Sequence, residues 1–135
     1  MDIRENFDNI KREISEACGK VDRSPEDIKV IAVTKYVTDA RVEQAIEVGV
    51  DAFAENRPQN YLERKQKYSD KEWHLIGSLQ TRKVRDVINH VDYFHALDRE
   101  SLAKEIEKRA EDKVNCFVQV NVSGEESKHG LTSHE

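Results

Sequence analysis

The sequence predicts an α/β fold with a leading helix and about five parallel strands separated by helices. Three observations carry that prediction. Short apolar, β-branched runs alternate along the chain with stretches of helical period. The connections between them are a few residues long, as in right-handed crossover units. Runs such as residues 30–33 are apolar at successive positions, the pattern of a sheet buried on both faces. Such strands suit either an open doubly wound sheet or part of an eight-stranded barrel, and periodicity does not separate the two. The first strand runs into Lys35-Tyr36-Val37-Thr38, without glycine, so the phosphate-cradling turn of a dinucleotide fold is absent. That shifts the balance towards the barrel.

Each element has its own local reason. Ile3, Phe7, Ile10, Ile14 and Cys18 recur at helical spacing, with Asp2 placed to cap the helix and Gly19 to end it. Ser24-Pro25-Glu26-Asp27 reads as a turn and residues 28–34 as the first strand. Thr38-Asp39 opens a second helix, with Val42, Ala45, Ile46 and Val48 on its apolar face and Gly49 closing it. Residues 50–54 form a second strand, Glu55-Asn56-Arg57 the loop beyond it, and Pro58 starts a helix running to about Tyr68. A third strand over 73–76 ends at Gly77, and a helix over 81–90 turns Val84, Val87 and Ile88 inward. A fourth strand over 91–96 leads to a helix over 99–111, with Leu102, Ala103, Ile106 and Ala110 inward. The fifth strand, 114–122, is mostly β-branched and aromatic. No linker or repeat divides the chain, so residues 1–135 read as a single domain.

Composition narrows the function classes. The chain has 27 acidic and 22 basic residues with no cationic block, which argues against nucleic acid as a partner. Its start is polar and no window has membrane-spanning length, so a soluble, cytoplasmic protein is expected. Cys18 and Cys116 are far apart and read as two buried reduced thiols. His74, His90, His95, His129 and His134 do not fall at metal-ligand spacings, so no metal is assigned.

In parallel α/β folds the functional side chains stand at the carboxyl ends of strands. Those positions here hold Thr34 and Lys35, Glu55 and Asn56, His74 with Gly77 and Gln80, Asp98, and Asn121 and Ser123. A ring of mostly polar residues at those ends implies a lined pocket. Lys35 closes the most apolar run of the chain. A half-buried lysine there is a candidate Schiff-base nucleophile, because desolvation favours the neutral amine; the commoner alternative is a lysine that snorkels into solvent. By position alone, His74 fits a satisfied core histidine better than a ligand, and Asn56 fits a loop residue bonding local backbone groups. Residues 124–130 look like a polar surface loop.

Taken in order, four motifs resemble the YggS/PROSC family of pyridoxal phosphate homeostasis proteins. They are Val30-Ile31-Ala32-Val33-Thr34-Lys35, Glu55-Asn56-Arg57, Trp73-His74-Leu75-Ile76-Gly77-Ser78-Leu79-Gln80 and Gly124-Glu125-Glu126-Ser127-Lys128-His129-Gly130. The resemblance implies a TIM (β/α)8-barrel of the alanine racemase amino-terminal type, here incomplete and lacking its C-terminal strands. It implies pyridoxal 5′-phosphate held on Lys35 as an internal aldimine, Asn56 close to the cofactor ring, and residues 73–80, His74 among them, lining the pocket. The implied role is vitamin B6 and amino-acid homeostasis without established catalysis, because the family lacks the second domain that gives alanine racemase its opposing tyrosine. Ala54 stands where the family often has glycine, and Arg82 where it often has asparagine.

Family members run well beyond about two hundred residues, whereas this chain ends at Glu135. The resemblance implies that the remaining strands, a Ser/Gly/Thr-rich phosphate site and an arginine facing the pyridine nitrogen lie in the missing part. A phosphate dianion needs such donors in place of its hydration. An unclosed barrel exposes a sheet edge and an apolar inner face, so self-association through that open edge is expected. Two rival readings stay open: a Schiff-base enzyme such as an amino-acid racemase or class I aldolase, and a truncated fragment that keeps the fold and binds no cofactor.

Overall fold

The computed structural model describes residues 2–126 and 128–134. Met1, Glu135 and Ser127, the last a position of the 124–130 motif, lie outside the described residues. Helix α1, Ile3–Lys20, starts at Asp2, whose carboxylate accepts the Arg4 N–H at 3.0 Å. It does not stop at Gly19. Asp22 takes the left-handed position at φ 55°, and the Arg23 N–H reaches back to the Cys18 carbonyl at 3.0 Å. An aspartate thus fills the place that glycine usually holds in this closure.

The alternation then proceeds in order. It comprises β1 (Ala32–Val33), α2 (Asp39–Glu47), β2 (Ala52–Glu55), α3 (Pro58–Lys67), β3 (Glu72–Leu75), α4 (Val84–Val87), β4 (Tyr93–Leu97), α5 (Glu100–Arg109) and β5 (Asn115–Val118). Thr38 caps α2 through the Arg41 N–H, and Pro58 is the first residue of α3, both as the sequence predicts. Gly49 follows α2 at φ 103°, which suits its lack of a side chain.

Three elements are shorter than their sequence signals. The first strand pairs only where Ala32 lies opposite Phe53 and Val33 opposite Ala54. Residues 28–31 lie ahead of that register, and the Asp51 carbonyl is already taken by the Glu72 N–H at 3.0 Å. In the fifth segment the regular strand ends at Val118; Gln119 still bonds Leu97, and Val120 then pairs with Leu131. The predicted helix over 81–90 is broken into a 3-10 turn, the short α4, and a second 3-10 turn over Ile88–His90. Its last carbonyl, on His90, accepts the Tyr61 hydroxyl at 3.0 Å, and the Val91 N–H bonds Ile88 at 3.2 Å. This tightened end delivers the chain into β4.

All strand pairs are parallel, in the order β1-β2-β3-β4-β5. A doubly wound sheet reverses its strand order at a switch point; this sheet does not. It is an incomplete α/β barrel. One face carries Phe53, Trp73, Leu75 and Phe94, all fully buried in one cluster with Tyr61, Val84 and Leu102 from the helices. Phe53 stacks on Trp73 with centroids 5.1 Å apart. Tyr61 is buried with its hydroxyl paired, accepting the Asp92 N–H at 3.0 Å.

The other face is polar. The expectation of a sheet apolar on both faces therefore holds for one face only, and Val33 is 49% exposed. Strand alternation turns Glu72, His74, Tyr93, His95 and Phe117 to this side. Lys29 Nζ lies 2.7 Å from Glu72, which lies 2.9 Å from His74 Nε2; His74 Nδ1 is 2.7 Å from His95 Nε2. Tyr93 stacks on His74 at 4.5 Å and Phe117 on His95 at 4.6 Å. Among the described residues no helix is long and apolar enough to cross a membrane.

Candidate functional site

The carboxyl ends of β1 and β2 meet at Thr34 and Glu55, both buried. The Thr34 N–H and hydroxyl lie 2.9 and 3.0 Å from the Ala54 carbonyl, and the hydroxyl also touches the Glu55 carboxylate. Thr34 thereby anchors the turn that carries Lys35. That turn closes through the Val37 N–H and the Thr34 carbonyl at 3.2 Å, with Tyr36 at φ 63°. A tyrosine in the left-handed region persists only where its surroundings fix it. Two contacts do so from the Val37 side: Arg64 of α3 donates to the Val37 carbonyl, and Thr38 is locked as the cap of α2. Lys35 itself is exposed, where the sequence predicts a half-buried strand end.

Asn56 follows β2 and is half-buried. The Ile76 N–H bonds the Glu55 carbonyl at 3.0 Å, so the chain leaving β3 lies directly against the Asn56 loop. Gly77 makes that approach possible, since a side chain there would collide with the Asn56 carbonyl group. Lys35 and Asn56 line one cavity of about 400 Å³, together with Tyr36, Glu55, Asn60 and Arg64. That volume lies in the range of small-molecule sites. Beside it, Arg64 lies 3.3 Å and Lys67 2.6 Å from the Asp39 carboxylate. The Lys67 hydrogen bond, reinforced by both positive charges, holds Asp39 below the usual carboxylate range despite some desolvation.

The other strand-end residues go elsewhere. His74 sits within β3 opposite Ala54, inside the Lys29–Glu72–His74–His95 chain, and does not line the cavity of Lys35. Ser78 and Gln80 line a neighbouring cavity of about 410 Å³ with Arg57 and Pro58. Asp98 is buried and pairs at 2.6 Å with Arg99, which donates to the Leu79 carbonyl at 2.7 Å. Asn121 organises the loop after β5, accepting the Gly124 N–H at 3.0 Å and donating to the Glu125 carbonyl at 2.8 Å. Among the described residues no three His, Cys, Asp or Glu side chains are arranged to hold a metal ion. Sequence spacing carried no sign of Arg64, because its partner lies on a distant turn.

Residues 3–135 match the family model described as alanine racemase, N-terminal domain. The chain belongs to that family. Among curated relatives it is 35% identical to the pyridoxal phosphate homeostasis protein of Haemophilus influenzae, over 100% of this chain and 60% of the relative. It is 34% identical to the protein of the same name from Escherichia coli, over 96% of this chain and 59% of the relative. The chain thus spans about 60% of the length of the curated relatives it matches.

Solved members of similar fold include an unknown protein from Bifidobacterium adolescentis. That structure superposes with a TM-score of 0.84 at 28% identity, covering 96% of this chain and 59% of that one. PipY of Synechococcus elongatus with PLP bound superposes with a TM-score of 0.65 at 27% identity, covering 81% of this chain and 54% of that one. The chain is thus similar to proteins named for pyridoxal phosphate homeostasis and to a structure that holds PLP.

Proposed function

We propose that this chain forms the amino-terminal portion of a pyridoxal 5′-phosphate-binding protein acting in vitamin B6 and amino-acid homeostasis. Lys35 is the amine that joins the cofactor aldehyde, with loss of water, in a Schiff base. One observation carries the reading: Lys35 and Asn56, from two adjacent strand ends, line one cavity of small-molecule size. The residues present fit the group. A lysine on a fixed turn supplies the amine, and the half-buried Asn56 offers a polar side chain beside it. The relatives named for pyridoxal phosphate homeostasis and the PLP-bound structure of PipY support the same cofactor. His74 lies in the polar network of the sheet with Glu72 and His95 and does not line this cavity, so the contacts on which this proposal rests are Lys35 and Asn56.

The proposed role is carriage of the cofactor in the cytoplasm, without nucleic-acid partners. Titration with pyridoxal 5′-phosphate tests it. A saturating Schiff-base absorbance band, lost in Lys35→Ala, is the expected result. A band that survives Lys35→Ala sinks the assignment of the amine, and no band at all leaves the chain as a fold without its cofactor.

Self-association through the open sheet edges belongs to the same proposal. Phe117 and Val118 on β5 are 54% and 57% exposed, an apolar edge of the kind that recruits a second strand. Sedimentation over a concentration series should show dimers or larger species that Val118→Lys reduces. A monomer throughout the series contradicts it.

A further inference from the structure

We propose that Arg64 is a positioning residue for Lys35, holding the Val37 carbonyl so that the turn keeps the amine at the cavity. The inference rests on the reading of Lys35 as the cofactor's amine. Arg64 reaches from α3 to the turn between β1 and α2, and its side chain is only 15% exposed. Nη2 donates to the Val37 carbonyl, whereas Nη1 is buried and makes no hydrogen bond among the described residues. The directed contact of the guanidinium is therefore the one to the turn.

The ion pair with Asp39 does not explain the arrangement as well. Asp39 has a closer partner in Lys67, at 2.6 Å against 3.3 Å for Arg64. It keeps a counter-charge if Arg64 is removed. The turn does depend on outside support. Its own closure is a single bond of 3.2 Å, and Tyr36 occupies the left-handed region without glycine's freedom and with 93% exposure. Released from Arg64, the Tyr36 backbone relaxes to negative φ and the adjoining Lys35 swings with it. Arg64 also lines the cavity that Lys35 and Asn56 share, so the clamp and the amine border the same space.

The test compares the whole chain with Arg64→Met, which keeps an apolar stem, and Arg64→Lys, which keeps one donor and the charge. Two quantities are read: the rate of pyridoxal 5′-phosphate capture at Lys35, trapped by borohydride, and hydrogen exchange of the Val37 amide. Arg64→Met should slow capture by between about ten- and a hundredfold, as misplacement of a reacting group does, and speed Val37 exchange. Arg64→Lys should fall between it and the unsubstituted chain, and carries the same test should the methionine variant not fold. Capture at the unsubstituted rate in both variants overturns the role. So does slower capture with unchanged Val37 exchange, because the loss then does not run through the turn. If the unsubstituted chain forms no adduct at Lys35, the cofactor reading itself fails and the positioning role falls with it.

Discussion

A methyl group added at Gly77 would lie 2.9 Å from the Asn56 carbonyl carbon and closer still to its oxygen. Both partners are backbone, so neither can yield without moving the loop after β2. Gly77→Ala is expected to cost about 1–3 kcal/mol, as overpacking does, and to weaken cofactor capture by displacing Asn56. Thermal unfolding and a cofactor titration of the variant check both effects; an unchanged midpoint with full capture contradicts the close approach. The strand-end positions of Lys35 and Asn56 were legible in the sequence, because strand–helix alternation assigns them there. Gly77 was legible only as a strand stop, and Arg64 not at all. Their roles depend on which backbone each one meets, which local pattern does not encode.

The starts of the first three helices were legible from local signals. Asp2, Thr38 and Pro58 act within their own first turn, so their signals are local. Gly19 failed as a stop because Asp22 closes α1 instead. The segment over 81–90 has the right buried face, Val84, Val87 and Ile88, yet is not one helix. A distant hydroxyl decides its end: Tyr61 takes the His90 carbonyl and receives the Asp92 N–H. Burial pushes that phenol well above its ordinary value, so it stays a neutral donor. Tyr61→Phe should destabilise the fold by about 1–3 kcal/mol, the cost of unpaired buried backbone groups. Denaturant unfolding measures it, and hydrogen exchange at Asp92 should rise selectively. A variant as stable as the parent would show that the hydroxyl does not hold this junction.

For the molecule as a whole, the polar face of the sheet sets a pH dependence. Burial, and then the charge of His74, push His95 below its ordinary value of 6.5. The folded form then binds fewer protons than the unfolded chain as pH falls through about 6.5, so stability is present above that pH and declines below it. Desolvation acts to raise the Glu72 carboxyl, but hydrogen bonds from Lys29 and His74 outweigh it and leave it below 4.5. Its contribution is lost at lower pH, in the same direction. The unfolding midpoint should therefore fall between about pH 7.5 and 5.5, and His95→Phe should flatten that decline. A midpoint that rises on acidification in this window contradicts the arrangement. At this scale the parallel alternation was legible in the hydrophobic pattern, whereas the barrel was legible only through the missing glycine turn and the family resemblance. Strand order decides between barrel and doubly wound sheet, and order is a non-local property that neither composition nor period carries.

The claim on which the account turns is that Lys35 is the amine that takes the cofactor. Incubation of the chain with pyridoxal 5′-phosphate, borohydride reduction and peptide mapping by mass spectrometry tests it most directly. The predicted result is one stoichiometric pyridoxyl label on the peptide that contains Lys35. Label spread over the exposed lysines, or concentrated on any other residue, would contradict it.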